Sequence, residues 1–270
     1  MTNKNIFLSN NENSICDEYI KQGYIIAPAS DIDALSWIRQ KFISIIREEL
    51  HNPDNISDSD ILNFIHKSVS VSELNDFRLL VIRKINLLPD FRKRYYQVVK
   101  SYLDIIVGNE LAMQLKINLS IQFPKDDSSL LPIHADTWSG DSPFEVVVWV
   151  PLVDCYKTKS MYILPPEGSQ LLNNNFRKKA GNSSDDLYKS VKKNVDWIEI
   201  KYGEILIFNQ ALPHGNRVNM ENETRWSLNC RFKGVFTPYK DKKIGEFFEP
   251  ITLKPASECG MKYSLPDIKE

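Results

Sequence analysis

The sequence predicts an α+β protein. Up to residue 114, apolar side chains recur at helical spacing. From Leu115 they recur at every second position, and the strands that follow are short and divided by Pro and Gly. Many short strands argue for a sandwich or rolled barrel. Helices that precede them are expected to pack on one sheet of it, giving a double-stranded β-helix, or jelly roll. The chain of 270 residues, 42% hydrophobic, can bury a substantial core. It reads as a single domain over 1–270, with a mainly helical part over 1–114, a jelly-roll core over 115–236 and a tail over 237–270.

Residues 1–13 are polar and read as a loose arm. A short helix is expected over 14–21, stopped by Gly23, then a strand over 24–27 stopped by Pro28. Asp31 or Asp33 caps a helix to about Leu50, with Leu35, Ile38, Phe42, Ile45 and Ile46 on its core face. His51 follows as a partner for the helix C-terminus. Helices are expected over 60–67, 72–87 and 90–107, the last stopped by Gly108; His66 reads as a packed or surface residue. Leu115, Ile117, Leu119, Ile121 and Phe123 alternate with polar residues as one strand. Further strands are expected over 144–150, 160–164, 196–200, 203–208 and 224–233, with almost no helix between them. Residues 173–194 read as an insertion rich in Asn, Ser and Lys, and the tail after Pro238 as irregular.

Composition narrows the function. With 34 basic against 35 acidic residues and a net charge of −1, there is no basic excess for a nucleic-acid partner. Cys16, Cys155, Cys230 and Cys259 are scattered without a CxxC pair, which suggests free thiols in a reducing compartment. The start lacks the apolar run of a signal peptide, and no stretch approaches the roughly 20 apolar residues of a membrane span. A soluble, cytoplasmic protein without a membrane partner is the expectation.

The chemistry gathers in three stretches: LPIHAD (residues 131–136), LPHGN (residues 212–216) and RWS (residues 225–227). In an extended segment His134 and Asp136 point to the same side. A second imidazole, His214, would complete a three-point face, the ligand set of non-haem Fe(II) oxygenases with positions left open. A closed zinc site would want more Cys or His nearby. His-x-Asp alone arises often by chance; the Gly turn and alternating strand before His214, and the Arg-x-Ser after it, add the specificity.

With EVVVWVPLVDCYKTKSMYILPPEGSQ (residues 145–170), these motifs resemble the Fe(II)/2-oxoglutarate-dependent dioxygenases, in particular their phytanoyl-CoA-dioxygenase-like branch. The resemblance runs over 23–236 and extends to members found in carbohydrate and surface-polysaccharide gene clusters, including those of aminoglycoside pathways. It implies iron on His134, Asp136 and His214, with 2-oxoglutarate as cosubstrate and O2 as oxidant. It also implies an Arg for the far carboxylate of the cosubstrate. Arg225 is that residue by family spacing, and Arg231 on the same strand face is the runner-up. Ser227 shares the face and would add a hydrogen bond. Thr158 and Ser160 lie where related enzymes place a small polar group near the cosubstrate.

Other candidates remain open. Asn118, Ser120 and Gln122 line either the pocket or solvent. Trp138 and Trp149 stack on a sugar or sit in the core, and Trp149 reads as core. Residues 137–142 look like a mobile loop beside the metal, suited to substrate hydroxyls. Lys157, Lys159, Arg177, Lys178 and Lys179 form a basic cluster that meets a phosphate at the pocket mouth or simply covers a solvated lid.

The expected activity is oxidation or hydroxylation of a C–H bond in a carbohydrate or sugar-nucleotide intermediate, with release of succinate and CO2. Two alternatives share the fold: a non-redox sugar epimerase or isomerase, and a carbohydrate-binding or regulatory module without turnover.

Overall fold

The computed structural model describes residues 5–50, 56–176 and 183–266; His51, Arg177, Lys178 and Lys179 lie outside them. The helical part opens on α1 (Asn10–Gln22). Ser9 and Glu12 form a reciprocal capping box at its start, so the stretch read as a loose arm turns helical at Asn10. Gly23 closes it in the left-handed region at φ 78°. After β1 (Tyr24–Pro28) comes α2 (Ile32–Glu49), capped by Asp31, whose carboxylate accepts from the Ala34 N–H at 2.8 Å. The single turn α3 (Ile61–Phe64), α4 (Leu74–Asn86) and α5 (Phe91–Ile106) complete the set.

Among the described residues, seven strands form the larger sheet, in the order β1–β7–β4–β9–β2–β10 with β3 also on β9. They are β2 (Leu111–Gln114), β3 (Asn118–Gln122), β4 (Glu145–Pro151), β7 (Glu204–Asn209), β9 (Arg225–Gly234) and β10 (Phe248–Pro250), with β1 at the edge. The smaller sheet runs β6 (Asp196–Trp197), β5 (Tyr162–Ile163), β8 (His214–Gly215). All pairings are antiparallel, and the two sheets make the double-stranded β-helix expected from the strand pattern.

The strand expected from Leu115 to Phe123 is shorter, and β2 precedes it. All four residues of β2 are buried, which leaves no alternation to read. Residues 173–194 hold the end of α6 (Pro166–Asn174) and all of α7 (Ser184–Val191), so helices do separate the strands. The tail is not wholly irregular: β10 pairs with β2, and α8 (Pro255–Met261) follows.

The helices cover the outer face of the larger sheet, and β9 shows why. Trp226, Leu228, Cys230 and Phe232 are fully buried on the helix side, while Arg225, Ser227, Asn229 and Arg231 alternate with them toward the interior. Trp226 meets Phe42 of α2 and Phe77 of α4 edge to face at 6.1 and 6.2 Å, and its indole N–H donates to the Leu62 carbonyl at 2.8 Å. One side chain thus ties three helices to the strand that carries the polar row. No helix among the described residues is long and apolar enough to cross a membrane, and all four cysteines are free.

Trp226→Ala should therefore lower unfolding stability by about 3–5 kcal/mol in denaturant titration. A loss below about 1 kcal/mol would show that the helices do not depend on this contact.

Candidate metal centre

The two histidines are brought together by the backbone. His134 and His214 face each other across an isolated antiparallel bridge, with N–H to carbonyl distances of 3.0 and 2.8 Å. Opposed residues on such a pair carry their side chains to the same face, and the two rings lie 4.4 Å apart between centroids. The Asp136 N–H is anchored on the Gln210 carbonyl at 3.0 Å, which sets the carboxylate beside them. Gly215 lets this crossing close: a Cβ there would meet the Leu131 carbonyl at 2.7 Å and the Tyr162 hydroxyl at 2.8 Å.

The donor atoms converge. His134 Nε2 and His214 Nε2 lie 3.4 and 3.9 Å from Asp136 Oδ1, and one ligand atom from each residue falls within 4.8 Å of the others. The tautomers follow from the partners. Nδ1 of His134 faces the Pro132 carbonyl at 2.7 Å and Nδ1 of His214 the Leu212 carbonyl at 2.9 Å. A carbonyl only accepts, so each Nδ1 carries the hydrogen and each Nε2 is turned inward. Among the described residues no fourth His, Cys or acidic group joins the cluster, so the face is open on its other sides.

The electrostatics suit a cation. Burial, helped by the charge of His134, pushes His214 down to about 4, so it is a neutral ligand at pH 7. Burial also opposes protonation of His134, but its bonds to Asp136 and the Pro132 carbonyl, together with the carboxylate charge, outweigh this and the net shift is upward. Burial pushes Asp136 up; the His134 bond and the Arg231 charge outweigh it and hold the carboxyl well below the usual range. An anionic carboxylate flanked by two inward nitrogens asks for positive charge at its centre.

Arg231 supports that carboxylate. Its Nη2 donates to Asp136 Oδ2 at 2.7 Å and its Nε to Gln210 Oε1 at 3.0 Å. Gln210, fully buried, in turn donates to Glu145 Oε2 at 2.9 Å. A chain from Glu145 through Gln210 and Arg231 therefore fixes the outer oxygen of Asp136 and leaves Oδ1 for the centre. Neither Gln210 nor Glu145 stands out in the sequence; the only cue for Gln210 is its position four residues before His214.

Arg225 has no such partner. It is 2% exposed, with Nη1 on the Ser160 carbonyl at 3.0 Å and Nη2 on the Ser120 hydroxyl at 2.9 Å. Nε has no hydrogen-bond partner, and among the described residues no carboxylate pairs with it. Burial pushes its pKa down to about 10, which still leaves a cation at pH 7. A buried guanidinium without a counter-ion is a site for an anion. Arg225, the three candidate ligands and Arg231 all line one cavity of about 210 Å³, closed by Val147, Trp149, Met161 and Phe208.

Asn118 and Ser120 line this cavity, whereas the amide of Gln122 donates to the Arg217 carbonyl at 2.6 Å. Ser227 and Ser160 are buried next to Arg225 in sequence or contact, and their hydroxyls have no partner, though neither lines the wall. The Thr158 hydroxyl is taken up by Glu221 Oε1 at 3.1 Å and the Met220 N–H at 2.9 Å, off the cavity. Trp149 is both buried and a wall residue, and Trp138, 40% exposed, meets Phe176 with the rings tilted and 4.9 Å between centroids. Residues 137–142 are not a free loop: a 3-10 turn spans Asp136–Ser139, and Asp141 and Ser142 are buried, Ser142 donating to the Pro238 carbonyl at 2.7 Å. The expected basic cluster also loses a member. Lys159 is fully buried on Glu223 and Asn63 at 2.6 and 2.9 Å, tying the turn before β9 to α3.

Arg231→Met would leave Asp136 Oδ2 without its donor. Affinity for Ni(II) or Co(II), measured by calorimetry, is expected to fall about 10–100-fold. Unchanged affinity would remove Arg231 from the support of the centre.

The chain matches no family model and no curated protein. Among solved structures it is similar to apo ThoJ, described as a non-heme monooxygenase, with a TM-score of 0.58 at 12% identity, covering 89% of this chain and 84% of that one. It is similar to SnoN, described as a non-heme alpha ketoglutarate dependent epimerase from nogalamycin biosynthesis, with a TM-score of 0.51 at 15% identity and 87% of each chain covered. HygX from Streptomyces hygroscopicus, solved with nickel and 2-oxoglutarate bound, gives 0.50 at 14% identity, covering 86% and 89%. At these identities the likeness is one of fold.

Proposed function

We propose that this protein is an Fe(II)- and 2-oxoglutarate-dependent oxygenase that hydroxylates or oxidises a C–H bond of a carbohydrate or sugar-nucleotide intermediate. The observation that carries this is a single cavity holding two inward imidazole nitrogens, one inward carboxylate oxygen and a buried guanidinium without a counter-ion. His134, Asp136 and His214 would hold the iron, and Arg225 would bind the far carboxylate of 2-oxoglutarate. Asn118 and Ser120, the latter already hydrogen-bonded to Arg225, line the same cavity and add polar groups for a carboxylate ligand. The solved neighbours support the cofactor set: HygX is recorded with 2-oxoglutarate and nickel, SnoN as alpha ketoglutarate dependent and ThoJ as a monooxygenase.

Iron with 2-oxoglutarate and O2 supplies the oxidising power, 2-oxoglutarate leaving as succinate and CO2. The chain's own residues do the rest. The Arg231–Gln210 support keeps Asp136 ionised and aimed, and the two carbonyl-bound Nδ1 atoms keep both imidazoles in the ligating tautomer. The buried side chains of Val147, Trp149, Met161 and Phe208 give the cavity apolar walls that keep water from it. Epimerisation is the second reading, favoured by the description of SnoN, and it would use the same site with a different product.

His134→Ala and Asp136→Ala are each expected to abolish iron-dependent succinate release, and Arg225→Met to raise the KM for 2-oxoglutarate about tenfold or more. Wild-type succinate release by either ligand variant would refute the assignment; a protein that never releases succinate would be a non-redox epimerase or a binding module.

A further inference from the structure

The metal-facing cavity, at about 210 Å³, falls short of the roughly 300–1,000 Å³ usual for ligand pockets. It has room for a small dicarboxylate reaching from the metal centre to Arg225, and a second molecule of substrate size needs space beyond it. A larger cavity of about 490 Å³ adjoins it, and the two share Asn118, Ser120, Leu131 and Asn229 as walls. The outer chamber lies between the first turns of α4, residues 118–121 of β3, whose polar and apolar side chains both line it, and residues 128–131 just before the His134 segment.

Its walls mix polar, apolar and cationic groups. On the shared boundary, Asn118 Nδ2 donates to Asn229 Oδ1 at 3.0 Å. That leaves Asn118 Oδ1 and Asn229 Nδ2 as one acceptor and one donor for hydroxyl groups. Leu74, Leu119, Ile121 and Leu130 add apolar wall, and Leu131 and Val71 are about half exposed. At the α4 wall stands Arg78, partly buried, whose Nη2 donates to Asn75 Oδ1 at 2.8 Å; no carboxylate among the described residues pairs with it. It is the one charged side chain among the described walls of this chamber, and no aromatic ring is among them. A nucleotide diphosphate would want more than one cation and a stacking surface. A single guanidinium fits one compact anionic group.

The geometry points to the outer chamber as the substrate site, taking a small hydroxylated molecule with a single carboxylate or phosphate monoester bound by Arg78. This rests on the proposed function, with the inner cavity filled by metal and cosubstrate. It selects, within the carbohydrate class, a sugar acid or sugar phosphate over a nucleotide sugar. Asn118 and Asn229 would hold the hydroxyls nearest the metal, and Arg78 would set which end of the molecule points outward.

The test is an anaerobic titration of the protein loaded with Fe(II) and 2-oxoglutarate, followed by its visible charge-transfer band and by calorimetry. The probes are D-glucuronate, D-glucose 6-phosphate, D-glucose and UDP-glucose at millimolar concentration. Either glucuronate or glucose 6-phosphate is expected to perturb the band and bind at least about tenfold more tightly than glucose or UDP-glucose, and which one does so separates carboxylate from phosphate. Arg78→Ala, with an unchanged melting temperature as its folding control, should cost that probe about tenfold, and Arg78→Lys should restore part of it. A band that neither anionic sugar perturbs, equal binding of glucose or UDP-glucose, or an indifferent Arg78→Ala would overturn the inference. A band that never forms would instead remove the cosubstrate reading beneath it.

Discussion

The site depends on one short backbone contact, the antiparallel bridge between His134 and His214. On either side of it the same two segments are held by the Asp136 N–H on the Gln210 carbonyl and the Asn216 N–H on the Leu131 carbonyl. Once their main chains exchange hydrogen bonds, the rings have to stand side by side, and Asp136, two residues along from His134, follows onto the same side. The carbonyls of Pro132 and Leu212 then fix both tautomers without any further side chain. The convergence of the three side chains is thus largely a property of the backbone.

The second constraint is an imbalance of charge. Two guanidiniums, Arg225 and Arg231, line the inner cavity with one carboxylate, Asp136. Arg231 takes that carboxylate and is itself held by Gln210, so its charge is spent inside the protein. Arg225 is left with a serine hydroxyl and a carbonyl, neither of which neutralises it. Burying a cation in this state costs stability unless an anion completes it. The two arginines lie six positions apart on the same face of β9, yet their surroundings give them opposite tasks.

Much of this was legible in the residues. Period-two alternation in β9 placed Arg225, Ser227, Asn229 and Arg231 together, and helical periodicity located α2, α4 and α5 because each has one buried stripe. What escaped had no periodic signature or depended on distant partners. β2 is buried on both faces, and β10 is three residues long and exists only because β2 offers an edge. The polar stretch before Asp196 hid α7, although Ser183 caps it in the usual way. The same was true of Ser9 and Glu12 at α1. Sequence could not say which arginine meets a carboxylate, that Lys159 is buried on Glu223, or that Asp141 and Ser142 are held down by Lys242 and Pro238. Each of those facts belongs to a pair of residues far apart in the chain.

The most direct measurement is crystallographic: diffraction from anaerobic crystals soaked with Fe(II) and 2-oxoglutarate, with anomalous data at the iron edge. The account expects one anomalous peak ligated by Nε2 of His134, Nε2 of His214 and Oδ1 of Asp136, with a carboxylate of the bound acid on the Arg225 guanidinium. Iron seated on other residues, or 2-oxoglutarate density that leaves Arg225 unpaired, would contradict it.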